Sequence, residues 1–93
     1  SPERQDYRVP APKVDPLSDQ ERLFRLRFGE RVRALRREQG LNQDELAHRA
    51  GLHRSHIGLI ENARRDAQLS TIYRLAVALE LTPAQLLDIP HDL

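Results

Sequence analysis

Apolar residues in the first half of the chain recur at the spacing of a helix. Phe24, Phe28, Val32 and Leu35 stand three or four positions apart, which stacks them on one side of an α-helix. Ahead of them, Ser18-Asp19-Gln20-Glu21 is a capping box, a hydroxyl at the N-cap with a carboxylate three residues on. It predicts a helix start at Ser18. Gly29 interrupts the stretch, which is then either one long helix or a short helix leading into a main one. Gly40 supplies the left-handed residue that follows a helix end.

Beyond Gly40 the elements become short and regularly punctuated. Asn42 is a good N-cap for a helix from Gln43 to about Arg49 that buries Leu46, Ala47 and Ala50, and Gly51 breaks it. A second short helix runs from about Arg54 to Glu61 with Ile57 and Ile60 on its inner face. Asn62 and the loop Arg64-Arg65-Asp66 follow. Ser70 then opens a fourth helix carrying Ile72, Leu75, Ala76 and Leu79. Thr82-Pro83 is an N-cap followed by proline at the first helical position, starting a last helix with Leu86, Leu87 and Ile89. No segment alternates with period two for long enough to be a strand. The pattern is that of an all-α domain of five helices over residues 18–93. Residues 1–17 read as an extended or disordered N-terminal arm, because four of the six prolines fall in the first sixteen positions without apolar periodicity.

Composition narrows the class. A chain of 93 residues without cysteine holds one domain at most and is not stapled by disulfides or a thiolate metal site. Absent cysteine is compatible with the cytosol. No apolar run approaches the roughly 18 residues of a membrane span, and no charged start followed by an apolar stretch marks a signal peptide. The expectation is a cytoplasmic protein with no membrane partner.

Charge changes the picture most. A net charge of +1 argues at first against a nucleic-acid partner. Yet residues 25–65 hold ten arginines against five acids, a net of +5, while residues 1–24 carry −1 and residues 66–93 carry −3. A basic middle is masked by acidic flanks. Every basic residue but Lys13 is arginine, whose planar fork suits phosphate and guanine; a GC-rich genome would produce the same bias. The one enzyme-like constellation is His48, His53 and His56. His53 and His56 are three apart, but no third ligand lies nearby in sequence and no carboxylate is placed as a base. No enzyme, metal or cofactor is expected, and no small-molecule ligand is evident.

Residues 43–61, two short helices joined by a tight glycine turn, form a helix-turn-helix pattern. Gly51 stands where the turn needs positive φ. The small Ala47 lets the second helix pack closely on the first, and Leu52 and Ile57 plug the angle between them. Outward residues of the second helix are then held firmly enough to enter a major groove.

The stretch from Phe28 to Ile89 resembles the lambda-repressor and Cro type, the Xre family of bacterial and phage regulators. The resemblance is carried by Arg33-x-Leu35-Arg36, Gly40-Leu41-Asn42-Gln43-x-Glu45-Leu46-Ala47, Ala50-Gly51-Leu52, Ile57-x-x-Ile60-Glu61-Asn62 and Leu69-x-x-Ile72 through Leu79. The form Gly51-Leu52-His53-Arg54-Ser55-His56-Ile57 with Ala63-Arg64-Arg65 is similar to the small controller proteins of restriction-modification systems. The resemblance implies a sequence-specific transcriptional regulator binding double-stranded DNA. It also implies that Gln43 binds a DNA phosphate and that Arg36 pairs with Glu61 to fix the first helix against the motif. Asn42 would add its backbone N–H at a helix N-terminus, a natural anion site. Gln43 read without the family is a solvated first-turn residue.

Base contacts are expected from His53, Arg54 and Ser55, with Leu59 one turn on. Arg54 suits a bidentate contact to guanine, worth about 1–3 kcal/mol of discrimination; Ser55 donates or accepts and specifies less. Leu59 either touches a thymine methyl or packs, and Gly58 leaves a gap. Arg64 and Arg65 sit over the DNA backbone, positioning without specifying, or form a solvated charged loop. His56 and Asn62 complete the expected phosphate contacts. The family implies a homodimer on a pseudo-palindromic operator. Leu86, Leu87 and Ile89, with terminal Leu93, are the candidate interface, the alternative being that they close the monomer core. Arg4, Arg8 and Lys13 in the arm either track a minor groove or belong to a flexible tail. The competing function is a protein-interaction module on this fold (an antitoxin, antirepressor or bridging scaffold), against which the basic middle argues.

Overall fold

A computed structural model describes residues 16–90 of the chain. Residues 1–15 of the expected arm, with Arg4, Arg8 and Lys13, and terminal Leu93 lie outside the described residues, whereas Pro16 and Leu17 belong to the first helix. Five helices follow in order: α1 Pro16–Glu38, α2 Gln43–Ala50, α3 Arg54–Glu61, α4 Leu69–Ala78 and α5 Pro83–Leu86. The described residues are all-α, as the periodicity predicts.

Helix α1 corrects the sequence reading at its start and decides between the two alternatives left at Gly29. It begins at Pro16, so Ser18 lies inside the first turn rather than at the N-cap; proline suits a first helical position, where its missing N–H is one that helix geometry leaves unused. It also passes through Gly29 unbroken. A Cβ built at Gly29 would stand 2.6 Å from the carbonyl oxygens of Ile60 and of Glu61. The glycine is there because α1 crosses the end of α3 at backbone distance. That approach is open only to a residue without a side chain, and it offsets the roughly 1 kcal/mol that glycine costs inside a helix.

Four helix ends close in the same way. After α1, Gly40 takes φ 71° and Leu41 N–H returns to Arg36 O at 3.0 Å. After α2, Gly51 takes φ 69° and Leu52 N–H returns to Ala47 O at 2.9 Å. Both follow the glycine-terminated pattern that the sequence suggests. After α3 and α4 the left-handed position falls to Ala63 and Glu80, at φ 58° and 62°. Arg64 N–H then closes on Leu59 O at 2.8 Å and Leu81 N–H on Ala76 O at 2.8 Å. A side chain in that region is strained by about 1 kcal/mol or more.

The core gathers one face from every element. Val32 of α1, Leu46 of α2, Ile57 and Ile60 of α3, Leu75 and Leu79 at α4, and Leu86 of α5 are fully enclosed; each such side chain contributes about 1.5–3 kcal/mol by leaving water. The α4 helix opens at Leu69 with Gln68 as N-cap, so Ser70 lies one residue inside it. Helix α5 opens as expected at Thr82, whose hydroxyl accepts from Gln85 N–H at 3.1 Å while Gln85 Oε1 accepts from Thr82 N–H at 2.9 Å.

Leu86 and Ile89 were the expected meeting surface for a second chain. Within one chain they are 0 % and 7 % exposed, and Leu87 packs part-buried against the same core. Their apolar surface is spent on closing the monomer. Arg31 of α1 fastens this segment, donating from Nε to Leu86 O at 3.1 Å and from Nη2 to Gln85 O at 2.6 Å, and Arg27 donates to Pro90 O at 3.0 Å.

Candidate nucleic-acid interface

Helix α3 is anchored at its far end by an ion-pair hub. The Glu61 carboxylate is enclosed, and Arg36 grips it as a fork, Nε to Oε2 at 2.7 Å and Nη2 to Oε1 at 3.0 Å. The remaining nitrogen of that guanidinium donates to Leu41 O at 2.8 Å. Oε1 also accepts from Gln43 Nε2 at 3.1 Å and from Arg33 Nε at 3.4 Å. A single carboxylate thus joins α1, the start of α2 and the end of α3. Burial alone would raise the Glu61 pKa. The hydrogen bonds from Arg36 and Gln43, the charge of Arg36 and the bond from Arg33 outweigh burial, and the group is held below its ordinary value. The same pairing raises Arg36 against its own desolvation.

The near end of α3 is its opposite. His53 is the N-cap with extended backbone and makes no side-chain cap. His53, Arg54 and Ser55 are all exposed, whereas Leu59 and Gly58 are half-buried. Ile57 and Ile60 face inward with 0 % and 1 % exposure, and Ala47 is buried where α2 and α3 meet. A Cβ at Gly51 would meet only the far end of the flexible Arg74 side chain, so its positive φ is what calls for glycine there.

The expected phosphate ligands are placed unequally. Asn42 is a correction. Its Oδ1 accepts from Glu45 N–H at 2.7 Å, and its own N–H donates to Glu45 Oε1 at 2.8 Å. The N–H assigned to an anion is therefore occupied by a carboxylate, and Asn42-x-x-Glu45 carries a capping-box signal that the sequence reading passed over. Gln43 is half-buried and gives one amide N–H to Glu61, leaving the second. Arg64, Arg65 and Asn62 are exposed on one loop, and Asn62 Oδ1 accepts from Arg33 Nη2 at 2.8 Å. His56 lines a cleft with Arg65, Asp66 and Gln68. Its pKa is lowered, first by burial and then by the charges of Arg65 and His53.

The arginine excess divides into two groups. Arg25, Arg27, Arg31, Arg33 and Arg36 of α1, and Arg49 of α2, are bound to protein acceptors. Arg37, Arg54, Arg64 and Arg65 have no such bond among the described residues. Most of the basic middle holds the domain together; its free part lies on α3, on the loop behind it and at the end of α1. Among the described residues no three His, Cys, Asp or Glu side chains come together as a metal site, and no helix is long and apolar enough to cross a membrane. One feature that hydrophobic periodicity did not single out is a stripe on α4, where Leu69, Tyr73 and Val77 are 84 %, 61 % and 55 % exposed.

Comparison with known proteins agrees with this geometry. Residues 32–86 match the helix-turn-helix family model, and the chain belongs to the helix-turn-helix family of DNA-binding transcriptional regulators. It is 43 % identical over 60 residues to control protein C.SmaI of Serratia marcescens, covering 64 % of this chain and 71 % of the relative. It is 38 % identical over 66 residues to control protein C.BamHI of Bacillus amyloliquefaciens, covering 70 % and 82 %. The crystal structure of the restriction-modification controller protein C.AhdI from Aeromonas hydrophila superposes with a TM-score of 0.64 at 43 % identity, over 66 % of this chain and 92 % of that one. The fold is that of the lambda-repressor-like DNA-binding domains.

Proposed function

We propose that this regulator reads a specific, pseudo-palindromic operator as a cytoplasmic homodimer, with α3 in the major groove of each half-site. The observation that carries the reading is the contrast within α3. Its inner face and far end are locked by Ile57, Ile60 and the Arg36–Glu61 pair, while His53, Arg54 and Ser55 stand exposed at its start. Such a helix presents its first turn rigidly to base edges. Arg54 reads guanine, with Ser55, His53 and Leu59 completing the base contacts. Gln43, His56, Asn62, Arg64 and Arg65 bind phosphate. The similarity to control proteins supports the regulatory role over that of a DNA-free interaction module. The experiment is selection of bound sites from random duplex DNA, followed by Arg54→Ala. Enrichment of a two-fold symmetric sequence, with relaxed preference at one base pair per half-site in the variant, supports the reading; no enrichment sinks it.

The homodimer forms through the α4 stripe of Leu69, Tyr73 and Val77 rather than through α5. One domain reads only a few base pairs, and two-fold pairing doubles the site. Exposed apolar side chains at i, i+4 and i+8 form the continuous face that such pairing buries. Tyr73→Asp leaves the fold intact, because Tyr73 is 61 % exposed, and converts the dimer to a monomer by light scattering. An unchanged mass for the variant would remove this face from consideration.

A further inference from the structure

The loop that carries Arg64 and Arg65 is held at both ends by α1. Arg25 Nη1 donates to Asp66 Oδ1 at 3.1 Å, and Arg33 Nη2 donates to Asn62 Oδ1 at 2.8 Å. Arginine donates and never accepts, so the Asn62 atom that faces it is the carbonyl oxygen. The two N–H donors of the Asn62 amide then point away from α1, from an exposed residue, and nothing among the described residues accepts from them. Arg33 is itself fixed: its Nε reaches the enclosed Glu61 carboxylate at 3.4 Å, and its side chain is 34 % exposed. One planar guanidinium therefore spans the last residue of the recognition helix and the first residue beyond it.

We propose that Arg33 is a positioning residue for DNA binding, which orients the Asn62 amide so that its N–H donors meet a backbone phosphate. The inference rests on the DNA-binding reading above. Arg33 does not touch DNA; it removes the rotational freedom of a neutral ligand and keeps its acceptor turned away from the anion. Lysine cannot replace it, since an ammonium is a point donor without the fork that reaches both Glu61 and Asn62.

The test titrates the full chain against a short mixed-sequence duplex, with melting temperature measured alongside. Arg33→Gln and Asn62→Ala each weaken binding by about tenfold, the scale of one charge-assisted hydrogen bond. Arg33→Lys loses as much despite keeping the charge. The control Arg37→Gln, which removes an exposed charge from the same helix, costs no more than about twofold. Combined with Asn62→Ala, Arg33→Gln costs no more than that control, because the group it positions is gone. Asn62→Asp keeps the fold, as its carboxylate pairs with Arg33, so it melts no lower than wild type. It binds DNA more weakly than Asn62→Ala by repelling phosphate. Wild-type affinity in Arg33→Lys or in Asn62→Asp overturns the proposal, as does additivity of Arg33→Gln with Asn62→Ala. A wild-type chain that binds no duplex at low salt overturns the DNA-binding reading with it, whereas failure of the variants against a binding wild type falls on Arg33 alone.

Discussion

The two ends of α3 are built on opposite principles, although only eight residues form the helix. At Glu61 a carboxylate is withdrawn from water and surrounded by donors from α1 and α2. At His53 to Ser55 the side chains meet solvent and the cap is left open. Stability is concentrated where the helix ends, and the proposed recognition surface lies where it begins. The sites are two turns apart, so a substitution at one end leaves the other intact, and the division can be tested directly.

Glu61→Ala has the largest expected effect. It strands the Arg36 guanidinium, 7 % exposed, without its counter-charge, and removing one partner of a buried pair costs about 3–5 kcal/mol. Chemical denaturation reads the loss directly. Proton titration reaches the same group. Because the folded Glu61 pKa is depressed, its contribution is complete above the unfolded carboxylate value, about 4.3. It fades as pH falls through the lower folded pKa. Melting curves taken from neutral pH downward should therefore show an acid loss that Glu61→Gln removes, starting from a lower plateau.

Gly29→Ala comes next. The added methyl meets backbone carbonyls rather than a flexible side chain, so α1 and α3 must separate, at about 1–3 kcal/mol for overpacking. A gain in melting temperature, as helix propensity alone would predict, would disprove the close crossing. At the other end of α3, Arg54→Ala should leave the denaturation midpoint within about 0.5 kcal/mol of wild type, as an exposed surface change does. A large destabilisation there would break the contrast between the two ends. An effect of opposite sign belongs to Ala63→Gly, which relieves the positive φ just past the locked end. It should raise stability by about 0.5–1 kcal/mol, read as a shift in denaturation midpoint with no change in slope.

Much of this is legible in the amino-acid sequence. Apolar spacing and glycine punctuation located five helices, and the pairing of Arg36 with Glu61 followed from the family resemblance. What escaped is of one kind. Periodicity says that a face is apolar, not what covers it, so Leu86 and Ile89 looked spare when Arg27 and Arg31 had already fastened their segment onto α1. Formal charge says how many guanidinia there are, not which carbonyls they hold. Gly29 left open whether α1 is one helix or two, because closeness between helices distant in sequence leaves no local mark. Ala63 and Glu80 occupy left-handed positions without the glycine that would announce them.

The hub at Glu61 also fixes what can be moved between proteins. A graft of residues 43–61 alone into another scaffold would carry a carboxylate evolved for enclosure and leave behind both arginines that neutralise it, along with the glycine that lets α1 come near. The transplantable unit begins no later than Phe28 and ends no earlier than Asn62. On the proposed reading, an exchange of binding specificity between scaffolds is best confined to positions 53–55, which are exposed and whose side chains make no hydrogen bond among the described residues.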